Sequence, residues 1–399
     1  MRLRIYLSLT MVPVMAAVHC VAQAVPPVEN QRQVALALEQ QGRIPEAEDA
    51  WRVLLKAHPS SSEADAHLGL LEARQEHFKE AVALYRRALA LNPAMPGLRL
   101  NLGLALFKAG EMKEAIREFG PLLKSQPPAS PDTQRLTILI GMAHYGLSEY
   151  AEAAPYLKEA AARDPQNLPL RMALAHSCLW SKQYQCVLDA YHEILTLNAE
   201  SAEADMLAGE ALDELKDDAG AIQTFRDAIK ANPKQPDVHF GLGYLLWVHE
   251  QYPEAAHEFQ AELANDPTHV ESMLYLADAD IQMNRTSDAE PLLRKVVKMD
   301  PSLGLAHLDL GIVASDAGRN QEALRELTHA EQMMPNDVNV HWRLGKLYRA
   351  TGKKEDAKAE FDKASHLTNQ ANEALLKKMA SGNVHPPQGQ MPPVPPPEK

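Results

Sequence analysis

Residues 59–93 read PSSSEADAHLGLLEARQEHFKEAVALYRRALALNP, and the organisation of the whole chain follows from this stretch. It lies between two prolines 34 residues apart, with Gly69 twenty-four residues before the second, Ala81 twelve before and Tyr85 eight before. The same interval links Pro59, Pro93 and Pro127, then Pro233, Pro267, Pro301 and Pro335. A fixed period of this length signals a repeat architecture rather than a set of unrelated domains.

The internal positions recur in phase. The small residue twenty-four before each proline is Ala35, Gly69, Gly103, Gly209, Gly243, Ala277 or Gly311. Alanine stands twelve before, as at Ala47, Ala115, Ala221, Ala255, Ala289 and Ala323. A large residue stands eight before: Trp51, Tyr85, Phe119, Phe225, Phe259, Leu293 or Leu327. Two helices approach closely where small residues face each other, and a large side chain then fills the gap to the next hairpin. Proline ends the second helix because it lacks a backbone donor and constrains the residue before it. Composition agrees: 46% of residues are hydrophobic and only 6% aromatic, which suits many amphipathic helices.

Leu68-Gly69, Ala81, Tyr85, Ala88 and Pro93 resemble the tetratricopeptide repeat pattern, and the resemblance covers about residues 28–371. It implies an all-α fold, a right-handed superhelical solenoid of about ten helix-turn-helix hairpins. The expected organisation is a signal peptide over 1–24, the repeat array over 25–371, a capping helix over 372–381 and a proline-rich tail over 382–399. Two units are irregular. The fourth follows a 38-residue interval whose extra residues fall in Gln126 to Pro131, predicting a longer turn there. The fifth has Val187 in place of the usual alanine and no closing proline.

Arg2 and Arg4 precede a mostly apolar run from Ile5 to Val18, and Ala22-Gln23-Ala24 offers a small-x-small cleavage pattern. Export to the periplasm or cell exterior, with cleavage after Ala24, is the expectation. The apolar run is shorter than the roughly 20 residues a membrane span requires. Cleavage leaves 38 basic against 53 acidic side chains, a net charge of −15. That balance disfavours nucleic acid, which demands a segregated basic face. Cys178 and Cys186 fall in one predicted hairpin and are candidates for a disulfide, with free thiols the alternative.

No catalytic motif emerges. His192-Glu193, His249-Glu250 and His257-Glu258 each lack the second histidine of a zinc protease helix. Gly241 and Gly243 lack the third glycine of a dinucleotide loop and fall in a predicted helix. Catalytic residues, metal ligands and cofactors are therefore not expected. An enzyme, the contrary reading, would require a cluster of perturbed ionisable groups.

The resemblance also implies a binding face. In that family the first helix of each hairpin lines the concave side, through residues three before, one after and four or five after the small packing residue. Applied here, the rule selects Phe107, Met142 and Tyr145, then Met172, His176 and Trp180. Farther along it selects Phe240, Tyr244 and Trp247, with Tyr275 adjacent. Charged positions on the same face are Glu210, Asp213 and Glu214 in the sixth repeat and Arg343, Lys346 and Arg349 in the tenth. Exposed aromatic stripes mark interaction sites, whereas in a tight superhelix the same residues would be core. The expected function is a scaffold holding protein or peptide segments in a groove. An assembly or secretion factor for envelope proteins is the related alternative.

Overall fold

The structure, a computed structural model, describes residues 28–128 and 130–380. The segments expected as signal peptide (1–24) and proline-rich tail (382–399) lie outside the described residues. Among the described residues every regular element is an α-helix, and twenty helices pair in chain order into ten hairpins. They are α1 (Val28–Gln40) with α2 (Ile44–Ala57), α3 (Ser62–Arg74) with α4 (Phe78–Leu91), α5 (Leu98–Lys108) with α6 (Met112–Ser125), and α7 (Pro131–Gly146) with α8 (Tyr150–Arg163). Then come α9 (Leu168–Trp180) with α10 (Tyr184–Leu197), α11 (Ala202–Glu214) with α12 (Asp218–Ala231), and α13 (Val238–Val248) with α14 (Tyr252–Asn265). The last three are α15 (Val270–Gln282) with α16 (Thr286–Met299), α17 (Gly304–Asp316) with α18 (Asn320–Met333), and α19 (Val338–Ala350) with α20 (Lys354–Ala380). They form two compact units, one reaching to Tyr156 and the other beginning at Leu157.

Within six of the hairpins a periodic glycine faces the periodic large side chain of the same hairpin. A Cβ added at Gly69 would sit 2.7 Å from the Tyr85 ring, at Gly243 2.8 Å from Phe259 and at Gly345 2.7 Å from Phe361. The large residue thus covers its own glycine first, rather than only reaching toward the next hairpin. Phe225 does both, lying over Gly209 and against Gly241 of the following hairpin. The rings of Tyr85, Phe225 and Phe259 are almost wholly buried, and each contributes about 1.5–3 kcal/mol of transfer free energy relative to exposure.

Second helices end as their sequence dictates. Asn232, Asp266 and Asp300, each preceding a proline, adopt extended backbone at the helix end. Asn198, followed by alanine, does the same at φ −141° and ψ 96°, so the proline favours this geometry without being required for it. Between α6 and α7 the extra length is mostly helix and not the longer turn expected from sequence. α7 has 16 residues where α9 has 13, with Pro131 in its first turn and Ser130 accepting the Thr133 N–H. α20 likewise continues unbroken to Ala380, so no separate capping helix begins at 372. Asn369 stands where a closing proline would fall, and nothing from there to Glu373 stops a helix.

Two periodic features are absent from the expectation. The link between the helices of every hairpin contains one left-handed residue: Gly42, Gly110, Gly318 and Gly352 in four, and Glu76, Ser148, Lys182, Lys216, Glu250 and Asn284 in the other six. The second is a hydrogen-bonded clamp in the second unit. His239, His307 and His341 each place Nδ1 against a glutamate of their own second helix, Glu258, Glu326 and Glu360, at 2.6, 2.8 and 2.6 Å. Nε2 of each faces the carbonyl oxygen of the preceding hairpin's closing proline, Pro233, Pro301 or Pro335. Arg171 reaches the Pro165 carbonyl oxygen from the same register. One buried side chain therefore ties each of these hairpins to the one before.

Two outcomes follow from this packing. Glu76→Gly and Lys216→Gly relieve left-handed strain at exposed positions and should each raise the unfolding free energy by about 0.5–1 kcal/mol in urea titrations. Burial would raise the Glu326 carboxyl, but hydrogen bonds and charge from His307 and Arg325 outweigh it and hold it below its ordinary value. At Glu360, Lys363 and His341 act in the same sense against burial. A depressed carboxylate stabilises the fold above its unfolded value of 4.5 and loses that contribution as pH falls below it toward the folded value. Thermal midpoints measured from pH 7 to pH 3 should drop on this acid limb. A Glu326→Gln/Glu360→Gln variant should start lower, by about 1–3 kcal/mol per site, and show a shallower limb.

Candidate functional site

The first helices of the second unit form one recess of about 710 Å³. Its rim begins at the C-terminal end of α9 with Leu179 and Trp180, crosses the α9–α10 link at Lys182 and reaches Tyr184, the first residue of α10. Glu210, Asp213 and Glu214 of α11 form one wall, Phe240 and Tyr244 of α13 another, and His269 and Glu271 close the far end. Trp180 is 62% exposed and Tyr244 37% exposed, and outside the recess Trp342, at 36%, is as open as Tyr244.

Local structure holds each wall. Cys178 and Cys186 are joined by a disulfide that ties the end of α9 to the start of α10, with a Cα separation of 5.8 Å. Trp180, Lys182 and Tyr184 all lie within the loop it closes. Closing so short a loop removes about 2–3 kcal/mol of chain entropy from the unfolded state. At the start of α13, Asp237 adopts a left-handed conformation and does not cap its own helix. Its carboxylate accepts from Nε2 of His269 at 2.9 Å. Buried Glu262 of α14 takes the capping role, accepting the N–H groups of Asp237, His239 and Phe240 at 3.1–3.2 Å. That cap sets the orientation of the helix carrying Phe240 and Tyr244.

Carboxylates dominate the charge in the recess. Crowding by protein atoms raises the Glu210 carboxyl above its ordinary value, opposed by His176 and reinforced by Asp237, although part of its side chain still meets solvent. The Tyr184 phenol is raised by desolvation and by its charge contact and hydrogen bond with Glu214. His269 accepts the Ser272 N–H at Nδ1, leaving the Nε2 proton directed at Asp237.

Of the positions expected on the binding face, Trp180, Phe240, Tyr244, Glu210, Asp213 and Glu214 come together in this recess. Others do not. Trp247 donates its indole N–H to buried Asp278 at 2.5 Å and packs against Tyr275 at 5.0 Å. Both rings are half-buried on the core beside Tyr244. Phe107 packs on the core of the first unit, Tyr145 meets Tyr150 edge-on, and Met142 and Met172 are half-buried. His176 pairs with Glu203 at 2.9 Å. Arg343 and Lys346 stand over the Trp342 ring and Arg349 over Phe361, away from the recess lining. Sequence reading missed Tyr184, Asp237, His269 and Glu271. The first opens a second helix and the others lie at the starts of first helices, outside the positions the stripe rule samples.

Among the described residues, His307, Glu326 and His329 form one group with metal-ligand atoms near one another, and Glu331, His341 and Glu360 form a second. In both, the central histidine is engaged by the clamp, and Lys363 sits on Glu331 and Glu360 at 3.1 and 2.8 Å. Asp309 is buried with one carboxylate oxygen lacking a partner, and burial raises the pKa of its carboxyl well above the ordinary value. Arg343 opposes that rise and Asp278 adds to it. No helix among the described residues is long and apolar enough to cross a membrane.

Tetratricopeptide repeat models match residues 34–168, 188–270, 246–307 and 314–381 in overlapping segments. BBSome complex member BBS4 of Bos taurus is 22% identical over 304 residues, 76% of this chain and 58% of its own length. Cellulose synthase operon protein C of Xanthomonas axonopodis is 25% identical over 82% of this chain and 19% of its own length. This chain thus spans less than two thirds of either relative. Among solved structures, the Cut9–Hcn1 hetero-tetramer of the APC/C aligns over 90% of this chain and 91% of its own, at 13% identity and TM-score 0.43. These likenesses bear on the fold alone.

Proposed function

The chain belongs to the tetratricopeptide repeat family, and on that premise we propose that it is an exported, non-catalytic scaffold that seats a segment of a partner polypeptide in the recess spanning α9 to α15. Chains of this family are typically non-catalytic scaffolds for protein–protein contact, and this one is a scaffold of that kind. The observation carrying the finer reading is the exposure of Trp180 and Tyr244 on a recess large enough for several side chains. Aromatic side chains held rigid at a cavity supply contact area at small entropic cost, which is why they dominate binding hot spots.

Export rests on the N-terminal sequence: Arg2, Arg4, the apolar run and Ala22-Gln23-Ala24. The Cys178–Cys186 bridge supports it, because disulfides persist in oxidising compartments. A role as an assembly or secretion factor for envelope proteins is a second reading, resting on the same N-terminal sequence. Both readings use the same surface.

Affinity capture with the full protein tests the site. A partner polypeptide should be retained by the parent and lost, by tenfold or more, from a Trp180→Ala/Tyr244→Ala variant with unchanged circular dichroism, as expected for roughly 1.4 kcal/mol or more of hot-spot contact. Trp247 is left intact in that variant because its indole supports Asp278. Identical retention by both proteins, or by neither, would remove the recess as the binding site.

A further inference from the structure

The recess has a charge pattern that restricts what it can hold. Five carboxylates line it, from Glu210, Asp213, Glu214, Asp237 and Glu271, against the single ammonium of Lys182. Two of the five already have partners in the recess: Asp237 faces His269, and Glu214 accepts from Tyr184. Glu210 has no such partner within the lining: crowding disfavours its charge, His176 outside the lining opposes that effect and Asp237 adds to it.

An apolar segment laid here would strip water from these carboxylates with nothing in exchange, which is costly. An acidic segment would be repelled. A cationic side chain offsets the desolvation, and its aliphatic stem can lie along apolar surface while its charge meets the acids. The aromatic neighbours strengthen that selection, since the faces of Trp180 and Tyr244 attract lysine and arginine cations.

Resting on the groove reading above, we propose that this recess recognises a lysine or arginine side chain of a partner polypeptide, its stem against Trp180 and Tyr244 and its charge among Glu210, Asp213 and Glu214. Adjoining partner residues are apolar, matching Leu179, Met206 and Phe240. Binding of this kind weakens with added salt, because part of the attraction is screened. It also weakens on acidification, because crowding, against the opposing charge of His176, holds the Glu210 carboxyl above its ordinary value.

A display library of random dodecapeptides, selected on the full protein, tests this directly. Three variants run beside the parent, each checked by circular dichroism. Glu210→Gln/Asp213→Asn/Glu214→Gln neutralises the wall at constant volume. Glu46→Gln/Glu80→Gln/Glu152→Gln removes the same charge from exposed positions outside the recess. Trp180→Ala/Tyr244→Ala removes the aromatic rim. The parent should enrich peptides carrying arginine or lysine beside aliphatic or aromatic residues. The best of these should bind the wall variant at least about tenfold more weakly and the outside-charge variant unchanged.

Enriched peptides that are neutral or acidic, yet lost with the rim variant, would overturn the cation assignment and leave the groove standing. Basic peptides whose affinity ignores the wall variant would also overturn it. No enrichment above the rim variant would remove the groove reading and the assignment together.

Discussion

The contact between a glycine on the first helix and a bulky side chain sixteen residues later, as between Gly69 and Tyr85 or Gly243 and Phe259, is the constraint on which everything else depends. In these hairpins it brings the two helices to a separation at which a Cβ on the glycine would meet the facing ring within 3 Å. With that distance set, the other side chains of the first helix have determined directions. The face turned away from the second helix meets the neighbouring first helices, and there the recess forms. The scaffold therefore positions Trp180, Glu210 and Tyr244 through contacts made on the opposite sides of their helices.

The histidine–glutamate–proline clamps extend this order from one hairpin to the next. His239, His307 and His341 each hold a glutamate of their own hairpin and a carbonyl oxygen of the preceding one. Because a buried hydrogen-bonding group is costly to leave unmade, a clamp penalises slippage between hairpins as well as separation. The seventh hairpin, which carries Phe240 and Tyr244, has such a clamp at His239 beside the Glu262 cap. The residues offered to a partner are thus mounted on one of the more firmly tied helices.

Much of the fold is legible in the sequence because helix hairpins impose their small and large residues at fixed intervals. What is not legible has physical reasons. The left-handed link escapes notice because Glu76, Lys182 and Lys216 occupy it as readily as Gly42 and Gly110, the surrounding hydrogen bonds compelling the conformation whatever the side chain. The clamps escape because histidine and glutamate nineteen residues apart belong to different helices and signal nothing until those helices meet. Continuation of α20 to Ala380 depended on the absence of a stop signal, which is weaker information than its presence. At the site, the positional rule places Trp180, Phe240, Tyr244 and the α11 acids on one face. It cannot tell that Asp278 engages Trp247, or that Tyr275 fills the space beside it, because those depend on a neighbouring helix.

The central claim is that a partner polypeptide contacts the recess of the second unit and not the equivalent stripe of the first. Site-specific photocrosslinking measures this most directly, with a benzophenone amino acid placed at position 180 in one protein and at position 107 in another, each exposed to the native envelope fraction and irradiated. Crosslinks to a discrete partner from position 180, with none from position 107, are the predicted result. Crosslinks from position 107 alone would contradict the account.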